Sequence, residues 1–229
     1  MPSGHVVMGA YPVLAAGVGV RRGRGWAIRA ASFRLEQPEH GKATLGIRID
    51  HPAQAAAIVD LLAGVARPAY GELRVLGHDM ATVRGRAAVR QRVGVARRNS
   101  RPLPAMRIRT LVEHAARLAG PGRYDRHALA AAVLDRLSLL PWAEVPLRAA
   151  PDGVARRARL AAAAVHQPEL ILLDSLLDEL QPRDAAALTE AIRDLSKDSA
   201  ILVAGCDGAA LELACDEVLV LADGILVSA

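Results

Sequence analysis

The stretch Leu45–Gly64, LGIRIDHPAQAAAIVDLLAG, decides the fold. Leu45, Ile47 and Ile49 alternate as one face of a strand. A short turn follows. A helix starting near Pro52 then buries Ala56, Ile58, Val59, Leu61 and Leu62. Strand, turn and buried helix are the frame of a phosphate-binding loop. Such a loop needs glycines so that backbone N–H groups wrap the phosphates, a lysine for the β and γ oxygens, and a Ser/Thr hydroxyl for Mg²⁺. The turn and first helical residues read Asp50-His51-Pro52-Ala53-Gln54-Ala55-Ala56, with glycine, lysine and hydroxyl all absent.

Outward from this stretch, strand-like runs occur at Val13–Val20, Ser32–Leu35, Glu72–Leu76, Val93–Ala96, Leu170–Asp174, Ala200–Gly205 and Glu217–Leu221. Helical spacing occurs at Arg84–Gln91, Ile108–Leu118, Arg126–Leu137, Val154–Val165, Pro182–Leu195 and Ala209–Ala214. The alternation predicts an α/β domain with a mainly parallel sheet. Leu170–Leu173 and Ile201–Val203 are unbroken apolar runs, as expected of strands covered on both faces. Residues 98–154 show helices and no convincing strand, punctuated by Pro102, Pro104, Pro121, Pro141, Pro146 and Pro151. They are read as a helical subdomain inserted into a core made of residues 1–97 and 155–229, within a single domain overall. An antiparallel β part is expected at the N-terminal end.

With 229 residues, 52% of them hydrophobic and 23% charged, the chain can bury a substantial core. Aromatic residues make up only 3%, so that core must be built from Ala, Val, Leu and Ile. There is no apolar run of about 18 residues, which argues against a membrane-spanning helix. The apolar start, MPSGHVVMGAYPVLAAGVGV, lacks a basic leader and is broken by Gly and Pro, which argues against a signal peptide. Cys206 and Cys215 have no metal spacing and are expected reduced and partly buried.

The order of landmarks resembles the nucleotide-binding subunit of an ABC transporter across almost the whole chain. LLAGVARPAYGELRVLGHD (Leu61–Asp79) resembles the stretch after the family's P-loop helix, and Val93–Gly120 resembles its Q-loop and the start of its helical subdomain. HQPELILLDSLLDELQP (His166–Pro182) resembles the Walker B strand and D-loop, and Ala200–Val227 the final strands with the switch-histidine segment. The resemblance implies a P-loop NTPase-like α/β core. It places the P-loop on Ile49, Asp50, His51 and Pro52, with its lysine at Ala55 and its hydroxyl at Ala56. The adenine-stacking aromatic falls near Arg22, the Q-loop glutamine on Arg98, and the signature on Ala150-Pro151-Asp152-Gly153-Val154, where only Gly153 matches. The Walker B aspartate survives as Asp174; the catalytic glutamate is Ser175, the D-loop aspartate Gln181 and the switch histidine Cys206.

Each replacement removes a definite interaction. Ala55 offers no cation to the β and γ phosphates, and Ala56 no ligand to Mg²⁺. Ser175 cannot polarise water as a carboxylate does. Cys206 cannot supply an imidazole's donor at the γ-phosphate. One lost preorganised group commonly costs about 10²–10³ in rate. The resemblance therefore implies a degenerate, pseudo-ATPase member with no catalytic residues and no nucleotide or metal of its own, Asp174 being vestigial. ATP and Mg²⁺ are expected only at a composite site supplied mainly by a partner chain.

A bare helix N-terminus carries unpaired N–H groups and about half a positive charge, so it attracts phosphate. Asp50 and Asp152 each precede a helix, so the expectation is that their carboxylates cap those helices and fill both anion sites. The pair Gly41-Lys42 mimics a P-loop tail. It leads into a strand and has Ala43 at the hydroxyl position, so it reads as a surface turn. His51, His78, His114 and His166 show no zinc spacing, and no Ser/His/Asp or Cys/His set can be assembled by motif.

Basic residues cluster at Arg84–Arg109 and at Arg156, Arg157 and Arg159. Stacking aromatics are missing around them, so no nucleic-acid partner is expected and the clusters read as solvated faces. The implied partners are transmembrane permease subunits, docking in the groove lined by the segment after Arg98, and an active ABC ATPase paralogue as heterodimer partner. The implied location is the cytoplasmic side of the cell membrane, as a peripheral component. Two other classes stand beside this one. The first is a soluble regulatory protein that reuses the fold with a protein or nucleic-acid partner. The second is an enzyme making unusual nucleotide contacts through Arg22, Arg98 and Asp174.

Overall fold

The computed structural model describes residues 11–22, 25–36, 43–99, 105–118 and 126–228. Residues 1–10, the Gly41-Lys42 pair, Pro102, Pro104, Pro121 and the side chain of Arg22 lie outside the described residues. The strands are β1 (Val13–Arg22), β2 (Gly25–Leu35), β3 (Thr44–Ile49), β4 (Tyr70–Val75), β5 (His78–Asp79), β6 (Val93–Arg97), β7 (Leu170–Asp174), β8 (Ala200–Gly205), β9 (Glu217–Ala222) and β10 (Ile225–Ser228). The helices are α1 (Pro52–Leu62), α2 (Val83–Arg90), α3 (Ile108–Leu118), α4 (Arg126–Arg136), α5 (Asp152–Ala164), α6 (Pro182–Leu195) and α7 (Gly208–Ala214).

One 10-stranded sheet runs in the order β5-β4-β1-β2-β10-β9-β3-β8-β7-β6. From β9 to β6 the neighbours are parallel, while β1, β2, β4 and β5 pair antiparallel, as the sequence predicts. Every residue of β7 and β8 is buried, matching their unbroken apolar runs. Two elements extend the sequence reading. β2 begins at Gly25, well before Ser32. β10 returns antiparallel to β9 through Asp223 and Gly224, whose φ values of 50° and 79° are what a two-residue hairpin turn needs.

Side chains alternate across the sheet into two apolar clusters. On one face Leu170, Leu172, Leu202 and Ala204 meet α1 and the antiparallel strands. On the other, Ile171, Leu173, Ile201 and Val203 meet α5, α6 and α7. The described part of 98–154 forms α3, α4 and short 3-10 turns at Leu140–Trp142 and Leu147–Ala149. Its Ile108, Val112, Val133 and Leu134 belong to that second cluster, so the insertion shares its core with α5, α6 and β7. Among the described residues no helix is long and apolar enough to cross a membrane.

Charged pairs fasten α4 to the end of α6. Arg136 Nε lies 2.5 Å from Asp194 Oδ2, and its Nη1 lies 2.8 Å from Asp198 Oδ2. Lys197, then Arg136, hold the Asp194 carboxyl below the usual carboxylate range. A carboxyl depressed in the folded state adds stability above its unfolded pKa and loses it as pH falls. Thermal unfolding followed by circular dichroism should therefore show the midpoint dropping between about pH 5 and about pH 3. Arg136→Gln should lower stability by about 0.5–1 kcal/mol at pH 7 and make that acid slope shallower.

Candidate functional site

The parallel strands bring their C-terminal ends, Ile49, Arg97, Asp174 and Gly205, to one edge of the sheet, where open α/β folds place their ligands. The turn after β3 satisfies itself. Gln54 Oε1 accepts from the backbone N–H groups of both Asp50 and His51, at 3.1 Å each. The Gln54 N–H bonds the His51 carbonyl at 2.8 Å. Pro52 has no N–H to offer. This corrects the expectation for Asp50: His51 is the N-cap, and the amide of Gln54, not the Asp50 carboxylate, closes the first turn. Ala55 and Ala57 are buried against the core, while Ala56 is half-buried.

Asp174, at the end of β7, is buried and faces an arginine. Arg97 Nη1 lies 3.1 Å from Asp174 Oδ2, and Arg97 Nη2 lies 2.5 Å from Asp60 Oδ1 on α1. Burial pushes the Asp174 carboxyl up, and Arg97 opposes that shift. The neighbouring Arg98 donates its N–H to the Asp174 carbonyl at 3.0 Å and sends its guanidinium to Glu179 Oε2 at 2.6 Å. Ser175 is buried in the left-handed region, φ 55°, with its N–H on the Ala204 carbonyl at 2.8 Å.

The turn after β8 is pinned by Asp178. Its Oδ1 accepts from the N–H groups of Cys206 at 2.8 Å and Asp207 at 3.2 Å. A Cβ at position 205 would stand 2.7 Å from that oxygen, so the close approach requires Gly205. Partial desolvation and then Asp178 push the Cys206 thiol up, and Cys215 is pushed up to about 12, mostly by burial. Both are free thiols; Cys206 is exposed overall, contrary to the expectation of partial burial, and Cys215 is half-buried.

The Pro151-Asp152-Gly153 segment gives a second correction. Pro151 is the N-cap and Asp152 is the first helical residue of α5, with no side-chain cap bond. The Asp152 carboxylate instead takes Arg156 Nη2 at 2.5 Å, which holds it below the usual range. Arg156 is 1% exposed, and its Nη1 donates to the carbonyls of Leu176 (2.9 Å) and Asp178 (2.5 Å). Gly153 has a packing reason of its own, since a Cβ there would sit 2.3 Å from Cγ of Asp184 on α6.

These groups share one surface. Arg98 feels Asp152 and Asp178, and Cys206 feels Asp50 and Glu179. Gln181 is the exposed N-cap of α6. No cluster of His, Cys, Asp and Glu suited to a metal occurs among the described residues.

The family model described as ABC transporter matches residues 56–177, more than half of the chain. The chain belongs to the ABC transporter family. It is 26% identical over 179 residues to a methionine import ATP-binding protein of Burkholderia mallei, covering 76% of this chain and 45% of that protein. It is 30% identical over 150 residues to a daunorubicin resistance ATP-binding protein of Streptomyces coeruleorubidus, covering 66% and 47%. The chain thus spans less than half the length of these curated relatives. Among solved structures, CbiO1 of Clostridium perfringens, described as part of the ABC transporter complex CbiONQ, superposes with a TM-score of 0.81 at 15% identity, covering 95% of this chain and 87% of that one. The dimeric bacterial ABC transporter cassette MJ0796 gives 0.79 at 14% identity, covering 93% and 96%. These likenesses bear out the P-loop NTPase-like fold.

Within this ABC family member, the sequence reading missed Gln54, Asp60, Arg97, Arg156, Asp178 and Glu179 as partners at the site. One signal was legible: Arg97-Arg98 at the end of β6 and Asp178-Glu179 in the loop after β7 are pairs of opposite charge. The basic run Arg84–Arg109 is also not simply solvated. Arg90 bonds the Gly64 carbonyl, Arg92 pairs with Glu169, and Arg107 and Arg109 both pair with Glu144.

Proposed function

We propose that this chain is a non-hydrolysing ABC cassette that serves as the structural and regulatory partner of an intact ATPase subunit in a membrane transport complex. The observation that carries this reading is Gln54 Oε1 on the N–H groups of Asp50 and His51. Those are donors of the β3–α1 turn, the place where a P-loop offers N–H groups to phosphate. Arg97 on Asp174 supports it, because a guanidinium there competes with Mg²⁺ for the carboxylate. With Ser175 in place of a glutamate, no carboxylate stands directly after Asp174 to act as general base.

In this reading a heterodimer keeps at most one nucleotide site, made from the partner's P-loop and this chain's Asp152-Gly153 turn. Permease subunits bind the cassette pair on the cytoplasmic face of the membrane. The purified chain should then show no Asp174-dependent ATP turnover and no thermal shift with ATP and Mg²⁺. Steady hydrolysis abolished by Asp174→Ala would refute the proposal. Co-purification from the native host checks the partner: a multi-span membrane protein supports it, and a soluble partner alone favours a regulatory protein outside transport.

A further inference from the structure

Away from the β3–α1 turn, α4, α5 and α6 border a cleft of about 340 Å³. That size lies within the range of small-molecule sites. Leu137, Ala187 and Ala191 form its apolar part, while Arg136, Arg157, Arg193 and Lys197 supply positive charge. The acids do not balance these cations evenly. Asp194 and Asp198 satisfy Arg136, and Asp194 also takes Lys197 Nζ at 2.7 Å. Arg157 and Arg193 instead reach carbonyl oxygens, Leu137 at 3.4 Å and Leu213 at 2.5 Å. Glu190, the remaining acid of the wall, makes no ion pair with either among the described residues.

Arg157 carries the argument furthest. Its neighbour Arg156 turns to the β7–α6 loop; one step of about 100° round α5 aims Arg157 into the cleft. Its Nε is shielded from solvent and has no hydrogen-bond partner among the described residues. A buried donor without an acceptor costs about 1–3 kcal/mol, and an oxyanion admitted by a small shift of the Arg157 side chain supplies that acceptor. A guanidinium fork matches phosphate oxygens in pairs, and Arg193 of α6, with its Nη2 on the Leu213 carbonyl, also lines the cleft.

We propose that this cleft binds a small phosphate-bearing molecule, its phosphate between Arg157 and Arg193 and its organic part against Leu137, Ala187 and Ala191. Lys197 adds charge at the rim. Because the walls come from α4 and α5 on one side and α6 on the other, occupancy braces these helices against each other. The site is separate from the β3–α1 turn and does not depend on whether ATP is hydrolysed.

Isothermal calorimetry of the full chain with inorganic pyrophosphate at constant ionic strength tests this, with citrate and sodium chloride titrated in parallel. Saturable pyrophosphate binding is expected, weakened about tenfold or more in Arg157→Gln and again in Arg193→Gln. Arg193 is exposed, so its variant should keep the fold, which far-UV circular dichroism verifies. Arg98→Gln, at the sheet edge, should bind pyrophosphate as the parent does. No saturable binding, citrate binding as tight as pyrophosphate, or binding lost in Arg98→Gln and kept in Arg157→Gln would each overturn the assignment.

Discussion

Truncating Arg156 to alanine should destabilise the protein by about 3–5 kcal/mol, the combined cost of a large buried void and two buried carbonyls left without their donor. The guanidinium is 1% exposed and is the shared donor to the Leu176 carbonyl, the Asp178 carbonyl and the Asp152 carboxylate. Alanine leaves both carbonyls without that donor and opens a void beside α5. Arg156→Met refills the volume without the charge, so it should recover part of the loss and separate packing from bonding. Urea titrations of the three proteins, read at constant slope, give the comparison. A loss under about 1 kcal/mol in Arg156→Ala would mean that the buried bonds contribute nothing net.

The second large effect is expected at Arg97. Replacing it by leucine leaves Asp60 and Asp174 near each other without this cation, and Asp174 is the more buried of the two. A cost of about 2–3 kcal/mol at pH 7 is expected for a partly buried pair broken on one side. Its pH dependence has a definite sign. The Asp174 carboxyl is already raised by burial, and losing Arg97 raises it further. A raised carboxyl favours the protonated folded state, so its stability contribution is full below the unfolded pKa of about 4 and disappears as pH rises through the folded value. The variant should therefore come closest to the parent in mild acid and fall furthest behind it at neutral pH. Asp174→Asn added to Arg97→Leu should restore most of the loss, and additive effects in that cycle would deny the pairing.

The frame of the fold was legible wherever local signals agreed. α3 and α6 have the residue limits that the apolar spacing gives, α6 helped by Pro182 at its start. β3, β7 and β8 were equally clear from their apolar runs. The first half of β2 was hidden because its pairing with β1 shifts register between Val18 and Val20 and again beyond it, which breaks the two-residue alternation. β10 is short, although Asp223-Gly224 announced its hairpin.

At the site, the missing groups could be read from residue identity alone, and the groups that replace them could not. Asp152 and Arg156 stand at i and i+4 on one helix, so their pairing followed from spacing. The burial of Arg156 did not, because it depends on Leu176 and Asp178 approaching from a loop twenty residues on. Gln54 gave no warning either, since its role requires the turn to fold back over its own side chain.

Ile108 on α3 and Leu173 on β7 lie in one apolar mass that also contains Leu134, Leu160 and Leu188. A close-packed interior of this kind compresses little and passes displacement on. The insertion and the sheet therefore share one packed interior, so a displacement of α3 is felt at the end of β7.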